Sequence, residues 1–222
     1  MPPELPPAPL TYLVTAGETT PDTTPTSREF AAVLALVERA VVARVSLVQL
    51  REKRLPARVF YELAARAAAI TRASGTRLLV NDRADIARAA TCDGVHLTTQ
   101  SLAPSAVRRA FGTDLLVGVS AHSLDEARAA RDGGDADFCV LGPIFDTPSK
   151  VPYGAPLGLG AFRAVARALA PFPVLAIGGV TTENAGTLLR AGAAGVAAIR
   201  MFSDSADLRV TVSAVVSAGG RM

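Results

Sequence analysis

The sequence contains no tryptophan, and aromatic residues make up only 5% of its 222 positions. A core with so few rings is expected to be aliphatic, and a hydrophobic share of 50% supplies enough Ala, Val and Leu for a sizeable one. That balance favours α/β layering over a β-sandwich. Cysteine is equally scarce. Cys92 and Cys139 stand far apart, which excludes a disulfide framework and any cysteine-spaced metal site. No apolar run free of charge reaches the roughly 18 residues of a membrane span, so no membrane association is expected. The Pro-rich residues 1–9 lack a charged lead and an apolar run; they read as a disordered leader rather than a signal peptide, ahead of one domain over 10–222. Charge of one sign is lacking too: the net value is +3 and the arginines are scattered, which gives nucleic-acid binding little support. A soluble cytoplasmic protein is the expectation.

What the chain does have is a rhythm, and one stretch anchors it. Pro173-Val174-Leu175-Ala176-Ile177-Gly178-Gly179 places four apolar residues between Pro and Gly, the pattern of a strand buried on both faces. The two glycines leave bare backbone N–H groups at the strand's end, and a helix starting near Thr182 adds a field that favours an anion. A phosphate suits that place; a tight turn is the plainer alternative.

The same strand–helix unit recurs along the whole chain. Strands are expected over 11–15, 46–51, 77–80, 94–97, 115–120, 137–141, 173–177 and 194–199. Helices are expected over 28–43, 56–74, 84–90, 104–111, from 123 onward, 159–169, 182–191 and 203–217. Ser123 and Glu126 have the spacing of a capping box, and Pro56 suits a first helical turn. Long loops are expected over 16–27 and 144–156. Eight alternations with mostly short connections imply a single-domain α/β protein, a TIM (β/α)8 barrel. An open doubly wound sheet would carry a Gly-rich fingerprint after its first strand, and none is present.

In a barrel the carboxyl ends of the strands meet on one face, where active sites lie. Polar residues collect at those ends: Gln49, Arg51 and Lys53; Asn81, Asp82 and Arg83; His96; Ser120 and His122; Thr147, Ser149 and Lys150; Gly178 and Gly179; Arg200. Arg51, Lys53, Lys150 and Arg200 would form a cationic mouth near Asp82, suited to a polyanionic ligand. Of the two histidines, His96 lies in an apolar run and reads as a hydrogen-bonded structural group. His122 sits on a strand-end loop, where an imidazole can move a proton near neutral pH.

These blocks resemble a known family. Val48-Gln49-Leu50-Arg51-Glu52-Lys53, Asn81-Asp82-Arg83-Ala84-Asp85, Gly94-Val95-His96-Leu97, Gly118-Val119-Ser120-Ala121-His122, Leu141-Gly142-Pro143-Ile144-Phe145 with Thr147-Pro148-Ser149-Lys150, and Ala176-Ile177-Gly178-Gly179-Val180 are similar to thiamine-phosphate synthase. Several also mark its relative, the thiazole tautomerase of thiamine synthesis. The resemblance covers about residues 10–205 and implies a barrel enzyme that joins an aminopyrimidine diphosphate to a thiazole phosphate and releases pyrophosphate. It implies that Gln49, Arg51, Lys53, Asn81 and Lys150 hold the diphosphate and that Asp82 ligates Mg2+. Ser120, Thr147 and Ser149 would line the site, with catalytic parts for Lys150, Ser120 and His122. Gly178, Gly179 and Ile199 would hold the thiazole phosphate. Small phosphorylated molecules are the expected partners; oligomeric state is not readable, though by analogy such barrels are often homodimers.

Two positions depart from the synthase pattern. Where a second Mg2+-binding Asp is usual the chain has Ser101, and where Ser usually follows Ile199 it has Arg200, which can form an ion pair with a phosphate instead. The loop 98–104 and Ser120-Ala121-His122-Ser123 look closer to the tautomerase, whose proton-moving His falls on His122; Gln49, Lys53 and Asn81 are diphosphate-handling residues it does not need. The synthase is the reading favoured by the whole set. A non-catalytic thiazole phosphate-binding barrel, or another phosphate-binding barrel isomerase, remains an alternative.

Overall fold

Short aliphatic runs closed by glycine or polar residues form the strands of the computed structural model, which describes residues 4–146 and 155–220. They are Leu10–Val14 (β1), Leu47–Leu50 (β2), Arg77–Asn81 (β3), Gly94–Leu97 (β4), Leu116–Ala121 (β5), Phe138–Leu141 (β6), Val174–Ile177 (β7) and Gly195–Ala198 (β8). All pair in parallel in sequence order, and β8 closes onto β1 with Leu10 opposite Gly195. The expected eight-stranded barrel is therefore the fold observed.

Around it lie Arg28–Val42 (α1), Ala57–Thr71 (α2), Ala84–Ala89 (α3), Pro104–Phe111 (α4), Leu124–Asp132 (α5), Gly158–Leu169 (α6), Thr182–Arg190 (α7), Arg200–Ser203 (α8) and Leu208–Gly219 (α9). The strands are buried on both faces because each separates two apolar layers. Outside, residues such as Leu13, Val48, Val80 and Leu141 pack against the helices. Inside, Leu10, Tyr12, Leu47, Leu79, Phe138, Val140, Leu175 and Ala197 fill the barrel. Gly118 makes room there: a Cβ on it would lie 2.3 Å from Phe138 Cζ and 2.8 Å from His96 Nδ1.

Three local expectations are corrected. The last helix is not continuous over 203–217. Asp207 accepts hydrogen bonds from the N–H groups of Arg209 and Val210, so it caps α9 and separates it from the single turn of α8. Ser123 caps α5 by accepting from Glu126 N, but the Glu126 carboxylate takes the N–H of His122 at 2.6 Å, one residue before the cap. Pro56 stands before α2 as its N-cap rather than inside its first turn. At the amino end, residues 4–9 have no regular structure. Leu5 packs against the inner cluster.

The face opposite the strands' carboxyl ends is tied by side chains. Asp137, just before β6, accepts from Val117 N at 2.6 Å and from Arg108 Nη2 at 2.8 Å. Arg108 also donates to the carbonyls of Asp135, Thr113 and Leu115, joining α4 to the starts of β5 and β6. Asp137→Ala would strand a backbone donor and a largely buried guanidinium. A loss of about 2 kcal/mol is expected, seen as a lower urea midpoint with unchanged slope. An unchanged midpoint would show that the clamp is dispensable.

Candidate functional site

Strand direction brings the polar ends together. A cavity of about 360 Å³ opens at the carboxyl ends of the strands, with Tyr12, Gln49, Asn81, His96, Ser120, Val140, Ile177 and Ile199 in its lining. Arg51, Lys53, His122 and Gln100 also line it. Seven expected residues thus share one cavity: Gln49, Arg51, Lys53, Asn81, Ser120, His122 and Ile199. Asp82 lines an adjoining hollow that shares Lys53, Asn81, Thr98 and Gln100 with it. Gly179 and Arg200 lie in a third hollow, beside Val180, Thr181, Met201 and Ser205. Thr147, Ser149 and Lys150 lie outside the described residues.

The floor of the cavity is polar and buried. Gln49 Nε2 donates to the Tyr12 hydroxyl at 2.9 Å, which leaves the Gln49 carbonyl oxygen as the atom able to accept from a ligand. Burial holds the Tyr12 phenol far above its ordinary range, against the opposing effect of Gln49, so it stays protonated. His96 is packed edge-on to Tyr12 with its ring centre 5.8 Å away. Burial pushes His96 down to about 3, so its imidazole is neutral at physiological pH. One nitrogen, Nε2, lies 3.0 Å from Ser120 Oγ, while the buried Nδ1 has no partner among the described residues. A buried N–H without an acceptor is the costlier orphan, so the proton belongs on Nε2. Ser120 then accepts from His96 and can direct its own O–H to a ligand. The structural reading of His96 holds, and the residue faces the cavity as well.

His122 is held differently. Its Nδ1 lies 2.6 Å from the Gly142 carbonyl, which can only accept, so Nδ1 carries the proton of the neutral ring and Nε2 is the basic atom.

Asp82 has φ +65°, a left-handed conformation that Asp tolerates better than most residues, and its N–H donates to the His96 carbonyl at 2.9 Å. Lys53 is held below the ordinary lysine range by partial burial first and by the charge of Arg51 second, with Asp82 opposing. Ser101 is engaged within its own loop; its hydroxyl accepts from Thr98 N at 2.8 Å and pairs with Thr98 Oγ1 at 3.0 Å. Among the described residues no three His, Cys, Asp or Glu side chains cluster tightly enough to hold a metal ion.

The glycine pair is needed for two reasons. Gly178 and Gly179 have φ +96° and +63°. They also lie against the backbone leaving β6: a Cβ on Gly178 would meet Pro143 Cα at 2.7 Å, and one on Gly179 would meet Asp146 O at 2.7 Å. Beyond them, Thr181 and Asn184 form a full capping box on α7. The Asn184 amide is therefore already paired, and α7 contributes its field rather than that N–H.

The profile of the family described as thiamine monophosphate synthase matches residues 19–202. The chain belongs to that family. It is 44% identical to a putative thiamine-phosphate synthase of Geobacter sulfurreducens over 184 residues, 83% of this chain and 85% of that protein. It is 41% identical to the thiamine-phosphate synthase of Moorella thermoacetica over 175 residues, 79% and 82% of the two chains. Among solved structures, thiamine phosphate pyrophosphorylase from Pyrococcus furiosus superposes with a TM-score of 0.79 at 26% identity, covering 95% of each chain. A 3-hexulose-6-phosphate synthase, at 18% identity and a TM-score of 0.64, shares the barrel alone.

Within this thiamine monophosphate synthase family member, sequence reasoning overlooked one buried acid. Glu52 was visible only as the middle of Arg51-Glu52-Lys53, yet it is 1% exposed and accepts from Thr15 Oγ1, Thr19 Oγ1 and Thr19 N. Its signal was alternation: if Arg51 and Lys53 turn inward, the residue between them turns away. Gln100 and Thr98, which line both hollows, had no signal beyond their place in a loop.

Proposed function

We propose that this chain is a transferase of thiamine biosynthesis that couples hydroxymethylpyrimidine diphosphate to thiazole phosphate and releases pyrophosphate. The observation that carries the reading is the meeting of Arg51, Lys53 and Asn81 in one cavity, with Asp82 in the hollow beside it. Two cations and an amide suit a diphosphate, and a fully buried neutral floor suits a flat heteroaromatic ring. The two buried free thiols, Cys92 and Cys139, are consistent with a reducing cytoplasm.

The chemistry follows from charge. The bond between the pyrimidine methylene carbon and the diphosphate oxygen breaks, and its electron pair leaves with pyrophosphate. Arg51 and Lys53 lower the barrier by stabilising that departing charge, a part the resemblance extends to Lys150. The lone pair of the thiazole nitrogen then forms the new C–N bond, so the acceptor needs only to be held in line. Its phosphate is assigned to the backbone of Gly178 and Gly179 with Arg200, and Ile199 would contact the ring. Ser120, fixed by His96, would donate to the pyrimidine.

Two carboxylates line the diphosphate hollow, Asp82 and a Glu52 already bonded by Thr15 and Thr19, and among the described residues no third acid, His or Cys joins them, which fits a hard cation completed by phosphate oxygens and water but not one held by protein alone. When bound there, Mg2+ supplies further positive charge against the leaving group.

A second reading, the thiazole tautomerase, is favoured by the fixed tautomer of His122, whose basic Nε2 could move a proton. Coupling sets its barrier by leaving-group charge and needs no such shuttle. His122→Asn should therefore keep thiamine phosphate formation within about tenfold of wild type, measured by mass spectrometry. Wild-type exchange of a thiazole proton in D₂O, abolished in His122→Asn and unaccompanied by coupling, would assign the tautomerase instead.

A further inference from the structure

Glu52 is a carboxylate with 1% of its surface exposed and, among the described residues, no Lys, Arg or His paired with it. A buried charge is retained only where hydrogen bonds replace its water, and here every donor comes from one segment. Thr15 Oγ1 donates to Oε1 at 2.5 Å, Thr19 Oγ1 to Oε2 at 2.6 Å, and Thr19 N to Oε2 at 3.3 Å. Thr15 also accepts from the N–H of Arg51 at 2.8 Å, and its own N–H donates to the Gln49 carbonyl at 3.0 Å. The relay Arg51 N–H to Thr15 O–H to Glu52 thus fixes the backbone from which Arg51 projects. Gly17, at φ +78°, lets the same segment pass over Arg51: a Cβ there would stand 3.0 Å from the Arg51 carbonyl.

We propose that Glu52 is a positioning residue whose buried carboxylate straps residues 15–19 to the end of β2 and so aims Arg51 and Lys53 into the cavity. The alternation explains the choice of acid. Arg51 and Lys53 line the central cavity while the residue between them turns away from it, into the wall of the adjoining hollow, where only an acceptor matches three donors at once. A neutral amide of the same shape would set N–H against hydroxyl or amide donors. Glu52 stands at the edge of the Asp82 hollow, but its carboxylate oxygens are engaged by Thr15 and Thr19, so its part is to hold Arg51 and Lys53. The inference rests on the diphosphate reading of this cavity, and its test has one arm that does not.

Hydrogen exchange of the ligand-free protein is the independent arm. Glu52→Gln should raise exchange at residues 15–19 at least about tenfold while the helices keep their protection. In the second arm, inorganic pyrophosphate with Mg2+ is titrated by calorimetry. Glu52→Gln should weaken binding at least about tenfold, and in turnover KM for the pyrimidine diphosphate should rise while kcat stays within about threefold. Thr19→Val, which keeps the acid, should shift both arms in the same direction by less. Unchanged exchange in Glu52→Gln would overturn the strap. Faster exchange with unchanged pyrophosphate affinity would overturn its link to Arg51 and Lys53. Failure of the wild-type protein to bind pyrophosphate would count against the diphosphate reading, and with it against the aiming role, while exchange still decides the strap.

Discussion

Lys53→Ala is expected to lower kcat/KM for coupling by at least about a hundredfold, about 2.7 kcal/mol of transition-state stabilisation. Lys53 lines both the central cavity and the hollow of Asp82, so one ammonium spans the place where the diphosphate and its counter-charges would meet. Removing it takes away one of the two cations of the central cavity that face the departing charge. The same residue sets a pH dependence. Partial burial and Arg51 favour loss of its proton, so its folded-state value lies below the ordinary lysine range and Asp82 raises it only in part. Coupling should then fall on the alkaline side earlier than an unperturbed lysine would allow. Asp82→Asn removes the charge that holds the proton on, so the alkaline limb should move to lower pH. A limb that stays put or moves upward in Asp82→Asn would contradict this influence of Asp82 on Lys53.

Gly178→Ala should be nearly as damaging, through shape rather than charge. The new methyl would sit 2.7 Å from Pro143 Cα and Cβ and 3.2 Å from Ile144 N, on a residue at φ +96°. Neither neighbour can swing away, because both contacts are with the backbone side of the segment leaving β6. That segment is itself bonded to the strand end, Phe145 N to Gly178 O at 3.0 Å and Ile144 N to Ile177 O at 2.9 Å. A loss of about 3 kcal/mol is expected from strain and overpacking. KM for thiazole phosphate should rise at least about tenfold, while pyrophosphate binding at Arg51 and Lys53 is kept. Chemical denaturation and the two affinities separate these effects. Wild-type stability together with wild-type KM would show that the strand end tolerates a side chain and does not shape the phosphate hollow.

The barrel could be read in the residues because each strand is a short apolar run buried on both faces, and each run ends in glycine or a polar group. Residues 173–179 carry that whole pattern locally. The break between α8 and α9 could not be read so easily. Asp204, Ser205 and Asp207 all offer cap oxygens, and only the fold shows that Asp207 captures the amides. The cavity was legible for the same reason as the barrel: in parallel strands, chain direction alone sends Gln49, Asn81 and Ser120 to one face. Division of the polar set among three hollows was not, since it depends on how loops far apart in sequence lean together. Gly178 and Gly179 show both sides. Their freedom of φ was visible, but their packing against 143–146 is a long-range contact with no local signal. Glu52 was hidden because a charged residue between two cations reads as solvated surface until Thr15 and Thr19 are brought to it.

The account turns on one reaction. Wild-type protein incubated with hydroxymethylpyrimidine diphosphate, thiazole phosphate and Mg2+ should yield thiamine phosphate and pyrophosphate in equal amounts, followed together by mass spectrometry and a phosphate assay. Recovery of both halves unchanged, from protein shown to be folded, would contradict it.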